Sequence, residues 1–135
     1  MRTFRLSLVV EPWPSLKPPE KAWQQMRLLL DECVPARLRK ALPSHQVSTV
    51  GLEGWSGVKN GKLLALAATK FDAFITVDKN LPYQQNTSNL PVAVLVLDAV
   101  SNELPYLLPL VPAVSAALEN LKLGSYVLLR SEARA

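Results

Sequence analysis

Leu28-Leu29-Leu30-Asp31-Glu32 is the stretch from which the fold of this chain is read. Three large apolar residues run without alternation into two adjacent carboxylic acids. An unbroken apolar run bounded by polar residues fits a strand buried on both faces, as in a parallel sheet. A carboxylate left unpaired inside such a sheet would be costly, so the strand is expected to end near Asp31 with both acids at its carboxyl end. In open α/β sheets that rim is where ligands bind. Phe74-Ile75-Thr76-Val77-Asp78 has the same form, apolar and β-branched and ending on an acid. Two such strands would bring acids to one rim and make a pocket without His or Cys ligands. Its natural occupant is a hard divalent cation, Mg²⁺ or Mn²⁺.

The length of 135 residues suits one domain with a sizeable core. A hydrophobic fraction of 49% with 19% charged residues points to an ordinary soluble globular protein. The single cysteine, Cys33, excludes an internal disulfide and a cysteine-rich zinc site, which makes a reducing cytoplasm the expected location. The single histidine, His45, argues against a histidine-based metal site. No apolar run approaches the roughly 20 residues of a membrane span, so no membrane partner is expected. A net charge of +4 is compatible with a nucleic-acid partner without requiring one.

Residues 1–25 differ from the rest, with Pro12, Pro14, Pro18 and Pro19 beside Trp13 and Trp23. They are expected to form a poorly ordered, dispensable N-terminal extension, with the domain proper spanning 26–135. The competing reading is an arm that packs through its tryptophans. Beyond the first strand, Pro35 suits a helix start, and Leu38, Ala41 and Leu42 give that helix a buried face before Pro43 ends it. Gln46 to Val50 is expected to be a second strand. The loop from Gly51 to Gly61 precedes a helix over 62–69, for which Asn60 is the expected cap. Strand segments follow at Ala73 to Val77 and Val92 to Leu97. A helical stretch over 102–121 is expected to be kinked or split by Pro109 and Pro112 and capped by Gly124. Tyr126 to Arg130 makes a last edge strand. This order predicts a mostly parallel sheet with helices on both faces.

Asp31, Glu32 and Asp78 lead the candidates for chemistry. Neighbouring residues of an extended strand face opposite ways, so Asp31 and Glu32 can converge only if the backbone turns there. The competing reading makes these acids caps of helix N-termini. Lys79 would contact a phosphate, pair with the acids or lie in solvent. Asn80 would supply a carbonyl ligand or cap a turn, and Gln84, Gln85 and Asn86 would contact sugar or bases. Arg37, Arg39 and Lys40 would track a phosphate backbone or form a solvated helix face. Trp55 would stack a base or cover a core edge. Cys33 and His45 are assigned to structure. A receiver-type phospho-acceptor domain shares the acid pattern but wants a lysine after a later strand, where this chain has Asp98.

The run from Met26 through Leu30-Asp31-Glu32-Cys33-Val34-Pro35, the Gly54-Trp55 loop, the Leu63-Leu64-Ala65-Leu66-Ala67 helix and Thr76-Val77-Asp78-Lys79-Asn80 resemble the compact PIN-like family. These are small relatives of PIN-domain ribonucleases, many regarded as toxins of bacterial toxin–antitoxin pairs. The resemblance covers about residues 26–130. It implies a three-layer α/β/α sandwich, a Mg²⁺ or Mn²⁺ site and hydrolysis of RNA phosphodiesters. Under it Asp31 matches the first-strand metal ligand, Glu32 its neighbouring acid and Asp78 the aspartate after the later strand, so that Asp31 and Asp78 would hold the metal with Glu32 assisting. The residues themselves put Lys79, Asn80 and Arg37 on the substrate side. An antitoxin with a DNA-binding domain is the implied protein partner, and self-association is compatible with it. Asn80 stands where the family usually has another aspartate, and Asn60 and Lys62 lie where many relatives have an acid. Fewer acids imply weaker metal binding. Two functions are therefore expected: a divalent-metal-dependent ribonuclease, or a weak or inactive PIN-like module that binds an antitoxin or RNA.

Overall fold

The computed structural model describes residues 25–81 and 90–130. Residues 1–24 of the expected 1–25 extension and the amides Gln84, Gln85, Asn86 and Asn89 lie outside the described residues. Five strands, β1 (Arg27–Leu30), β2 (Gln46–Thr49), β3 (Ala73–Thr76), β4 (Ala93–Asp98) and β5 (Tyr126–Arg130), form one sheet in the order β2-β1-β3-β4-β5. Every pairing is parallel, so all carboxyl ends lie on one rim. A 3-10 helix, η1 (Ala36–Ala41), joins β1 to β2, and α1 (Asn60–Ala68) precedes β3. Between β4 and β5 run α2 (Leu104–Leu107), a 3-10 turn over Leu108–Leu110, and α3 (Val111–Glu119). Among the described residues no helix is long and apolar enough to cross a membrane.

The unbroken apolar strands behave as the sequence requires. Leu28, Leu29 and Leu30 are fully buried, and so is every residue of β3. Alternate residues enter two separate clusters. Leu28, Leu30, Ile75 and Leu95 pack with Leu38 of η1 and with Leu107, Val114 and Leu118 of α2 and α3. Leu29, Phe74, Val94 and Val96 pack instead with Leu63, Leu64 and Ala67 of α1. Trp55 meets Phe71 edge to face at 6.1 Å and covers the margin of the second cluster, the structural role expected of a loop tryptophan.

Several local details differ from expectation. The first helix is 3-10 rather than α: it has only six residues, and Pro43 holds Leu42 out of the helical region, at φ −125° and ψ 56°. Helix α1 begins at Asn60 itself, with Lys59 in the capping position, so Asn60 is the first helical residue and not the cap. Proline divides the 104–119 segment as expected: Pro109 lacks an N–H and sits in the 3-10 turn between α2 and α3. Gly124 does not cap α3, which ends at Glu119 with Asn120 as its cap. It makes the turn into β5 instead, with φ +73°. A Cβ placed there would lie 2.7 Å from the Leu90 carbonyl oxygen, a backbone atom and not the movable end of a side chain. Gly124→Ala is therefore expected to cost about 2–3 kcal/mol of unfolding free energy, read from urea denaturation.

Candidate functional site

In the strand order β2-β1-β3-β4-β5, connections leave β1 and β3 in opposite directions, and in open α/β sheets ligands bind at the carboxyl ends of such a switch point. Asp31 follows β1 there and Asp78 follows β3. The two acids are not level. Leu30 pairs with Ile75, and the Asp31 N–H donates to the Ile75 carbonyl at 2.9 Å, so the residue alongside Asp31 is Thr76. The Thr76 hydroxyl, fully buried, donates to Asp31 Oδ2 at 2.7 Å and accepts the Asp78 N–H at 3.0 Å. One side chain thus links the carboxylate of Asp31 to the backbone N–H of Asp78, from distant parts of the chain.

The backbone does turn after β1, as convergence of Asp31 and Glu32 demands: the Val34 N–H donates to the Asp31 carbonyl at 3.0 Å. Asp31 Oδ1 accepts the Glu32 N–H at 2.8 Å, and Cys33 Sγ lies 3.5 Å from both Asp31 Oδ2 and Thr76 Oγ1. Glu32 points outward, with the Gly57 N–H 3.5 Å from its Oε1. Neither acid caps η1, which has no side-chain cap, so that competing reading fails for Asp31 and Glu32. Asp78 Oδ1 accepts the Asn80 N–H at 2.9 Å in a tight turn, while the Asn80 residue is exposed. Burial pushes the Cys33 thiol above its ordinary pKa, against the lowering effect of hydrogen bonds with the Val77 backbone and Thr76. The thiol stays protonated at neutral pH and is a poor nucleophile.

Lys79 does not face Asp31 or Asp78. Its Nζ pairs at 3.0 Å with Asp98 at the end of β4, and the Arg130 Nε reaches the other oxygen of the same carboxylate at 2.8 Å. The Asp98 side chain is only 8% exposed, so this burial is tolerable because two cations serve it. Arg37 lines a cavity of about 470 Å³ beside Glu32, Cys33 and Asn102, and the Asn102 amide donates to the Cys33 carbonyl at 3.0 Å. Thr76, Asp98 and Arg130 are the rim residues that sequence reasoning did not assign. A buried hydroxyl two positions before a strand-end acid was the available signal for Thr76. Nothing local announces that Arg130 reaches Asp98 from the neighbouring strand.

Among the described residues no three His, Cys, Asp or Glu side chains gather into a metal-ligating cluster. The rim offers less than a preformed cage. Asp31 has both oxygens engaged by the protein, while Asp78 Oδ2 accepts no hydrogen bond among the described residues. Mg²⁺ keeps several waters and is commonly held by one or two carboxylates plus substrate phosphates. Carboxylate oxygens are the donor type such an ion takes, and Asp78 Oδ2 is the one at this pair that the protein leaves open. Neither a family model, nor a curated protein, nor a solved structure matches this chain.

The Thr76 hydroxyl gives a direct test of the geometry. Thr76→Val keeps the shape but leaves the Asp78 N–H without its acceptor and Asp31 Oδ2 with only the Cys33 thiol. A loss of about 1–3 kcal/mol is expected. A thermal melt of Thr76→Val that overlays the parent's would show that the bridge carries no such energy.

Proposed function

We propose that this chain is a compact PIN-like nuclease, a three-layer α/β/α sandwich that hydrolyses RNA phosphodiester bonds with Mg²⁺ or Mn²⁺. The observation that carries the reading is the Asp31–Thr76–Asp78 bridge: one buried hydroxyl at the switch point of the sheet joins the Asp31 carboxylate to the backbone N–H of Asp78, 47 positions away. Asp31 and Asp78 would hold the metal, which when bound would neutralise charge on the scissile phosphate and make a bound water more acidic. Asp31 is fixed in orientation by the Glu32 N–H and the Thr76 hydroxyl, so no reorganisation is needed when charge arrives. Glu32, exposed and next in sequence to Asp31, would assist by accepting a proton from water. Asp98 keeps the Lys79 ammonium at the end of β4, near the rim, where it adds positive potential for a phosphate-bearing substrate. Asn80 supplies a neutral amide beside Asp78.

A role as the toxin of a bacterial toxin–antitoxin pair, in the cytoplasm and bound by an antitoxin with a DNA-binding domain, rests on the resemblance alone. A second reading, a PIN-like module that binds an antitoxin or RNA without cutting it, is favoured by the lack of a three-ligand cluster among the described residues. Cleavage of a panel of RNAs with Mn²⁺, with a chelator, and by Asp31→Asn separates the two. The nuclease reading requires cleavage that the chelator and the substitution both abolish. Binding without cleavage under all conditions selects the second.

A further inference from the structure

Helix η1 leaves the carboxyl rim after Pro35 and returns toward the amino end of β2. In a 3-10 helix, side chains three apart eclipse one another. Arg37 and Lys40 therefore share one ridge, Ala36 and Arg39 the next, and Leu38 and Ala41 the third. Leu38 is 1% exposed and anchors that third ridge in the core. The two outward ridges hold all three cations of the helix, each exposed.

Beside these ridges lies a cavity of about 440 Å³ lined by Arg37, Arg39, Lys40 and His45, with Leu42 and Val47 as apolar floor. No carboxylate lines it. Among the described residues Arg37, Arg39 and Lys40 make no ion pair, and neither do Lys59, Lys62 and Lys122, but only the three of η1 line one concavity together. Three like charges left around one concavity repel each other and favour a polyanion. His45 adds a neutral donor. Its Nδ1 accepts the Met26 N–H at 3.1 Å, which leaves the ring proton on Nε2, and burial holds its pKa below the ordinary value. Arg37 also lines the cavity beside Glu32 and Cys33, so one cation borders both concavities, and η1 itself starts just after the turn that holds Asp31 and Glu32.

We propose that this groove binds the phosphates of single-stranded RNA and leads the strand from the Asp31–Asp78 rim along η1, an inference that rests on the ribonuclease reading for the identity of the strand. The acids at the rim repel bare phosphate, and the cations of η1 supply the attraction that holds a strand there. A six-residue 3-10 helix is about 12 Å long, room for about two phosphates of one strand.

The test is fluorescence anisotropy of a labelled oligouridylate with the full chain in EDTA, across a salt series. Arg39→Gln/Lys40→Gln is expected to weaken binding at least about tenfold. Losing two phosphate contacts should also flatten the slope of log K against log salt by about 1.4. Both positions are exposed, so the melting curve of the double variant should match the parent's, and Arg39→Lys should bind nearly as the parent does. Equal affinity and slope for parent and double variant would overturn the groove, as would a parent that does not bind RNA in EDTA. Tighter, groove-dependent binding of polyglutamate than of oligouridylate would also overturn it, in favour of an acidic protein partner. Groove-dependent RNA binding by a chain that cuts no RNA with Mn²⁺ would support the groove while the nuclease reading fails.

Discussion

Phe74→Ala is expected to lower the free energy of unfolding by about 3–5 kcal/mol, the largest stability effect of any single truncation considered for this chain. Phe74 is fully buried in β3, flanked in register by Leu29 of β1 and Val94 of β4. Its ring packs into the cluster built from Leu63, Leu64 and Ala67 of α1, with Phe71 and Leu81 nearby. Strands bonded on both sides cannot slide inward to fill the void, so the cavity term adds to the lost transfer energy. Domains of this kind have total stabilities of only about 5–15 kcal/mol, so the loss would consume a large part of the whole. β3 also carries Thr76 and leads into Asp78, so the rim should loosen with it. Urea denaturation checks this directly. A midpoint shift worth less than about 1.5 kcal/mol, with an unchanged slope, would mean that the helix can collapse onto the sheet.

Asp31→Asn is expected to reduce Mn²⁺-dependent RNA cleavage by about 10²–10³-fold, the scale of removing one preorganised electrostatic contributor. The amide retains an oxygen but removes the charge, and its NH₂ must confront either the Glu32 N–H or the Thr76 hydroxyl. Asp78→Asn should weaken Mn²⁺ binding as well, because its Oδ2 is the oxygen left open by the protein. Asn80→Asp is expected to act in the opposite direction. It adds a carboxylate within the same turn, next to the residue whose Oδ1 its own N–H contacts, and affinity for a hard cation rises with ligand charge. Calorimetric titration of Mn²⁺ into the parent and the three variants reads binding separately from catalysis. If Asn80→Asp binds no more tightly than the parent and Asp78→Asn no more weakly, the metal site is misassigned and the binding-module reading is the better one.

The parallel sheet was legible because its signal is local. A strand covered on both faces has no polar side to show, so Leu28–Leu30, Phe74–Ile75 and Val94–Leu97 read as continuous apolar runs wherever they sit in the chain. The same reasoning located Asp31 and Asp78, since a carboxylate without a partner ends such a run. Helix detail was less legible. The sequence over 36–41 has helical spacing, but whether six residues between two prolines close α or 3-10 turns depends on how the chain enters β2. Gly124 was misassigned because a glycine after a helix fits a cap and a turn equally well in sequence, and only the position of the Leu90 carbonyl separates the two.

What the sequence determined by itself was the α/β class, the parallel strands and the acids at their carboxyl ends, all consequences of which side chains can be buried along a short stretch. The tertiary structure decided how those ends meet. The register of β1 on β3 sets Asp31 beside Thr76 rather than beside Asp78, and places the hydroxyl between the Asp31 carboxylate and the Asp78 backbone N–H. The pairing of β4 with β5 delivers Arg130 to Asp98 and turns Lys79 toward it, away from the two aspartates. Register is fixed by the packing of whole strands and helices, a sum over residues far apart in the chain, and no local pattern of side chains contains it.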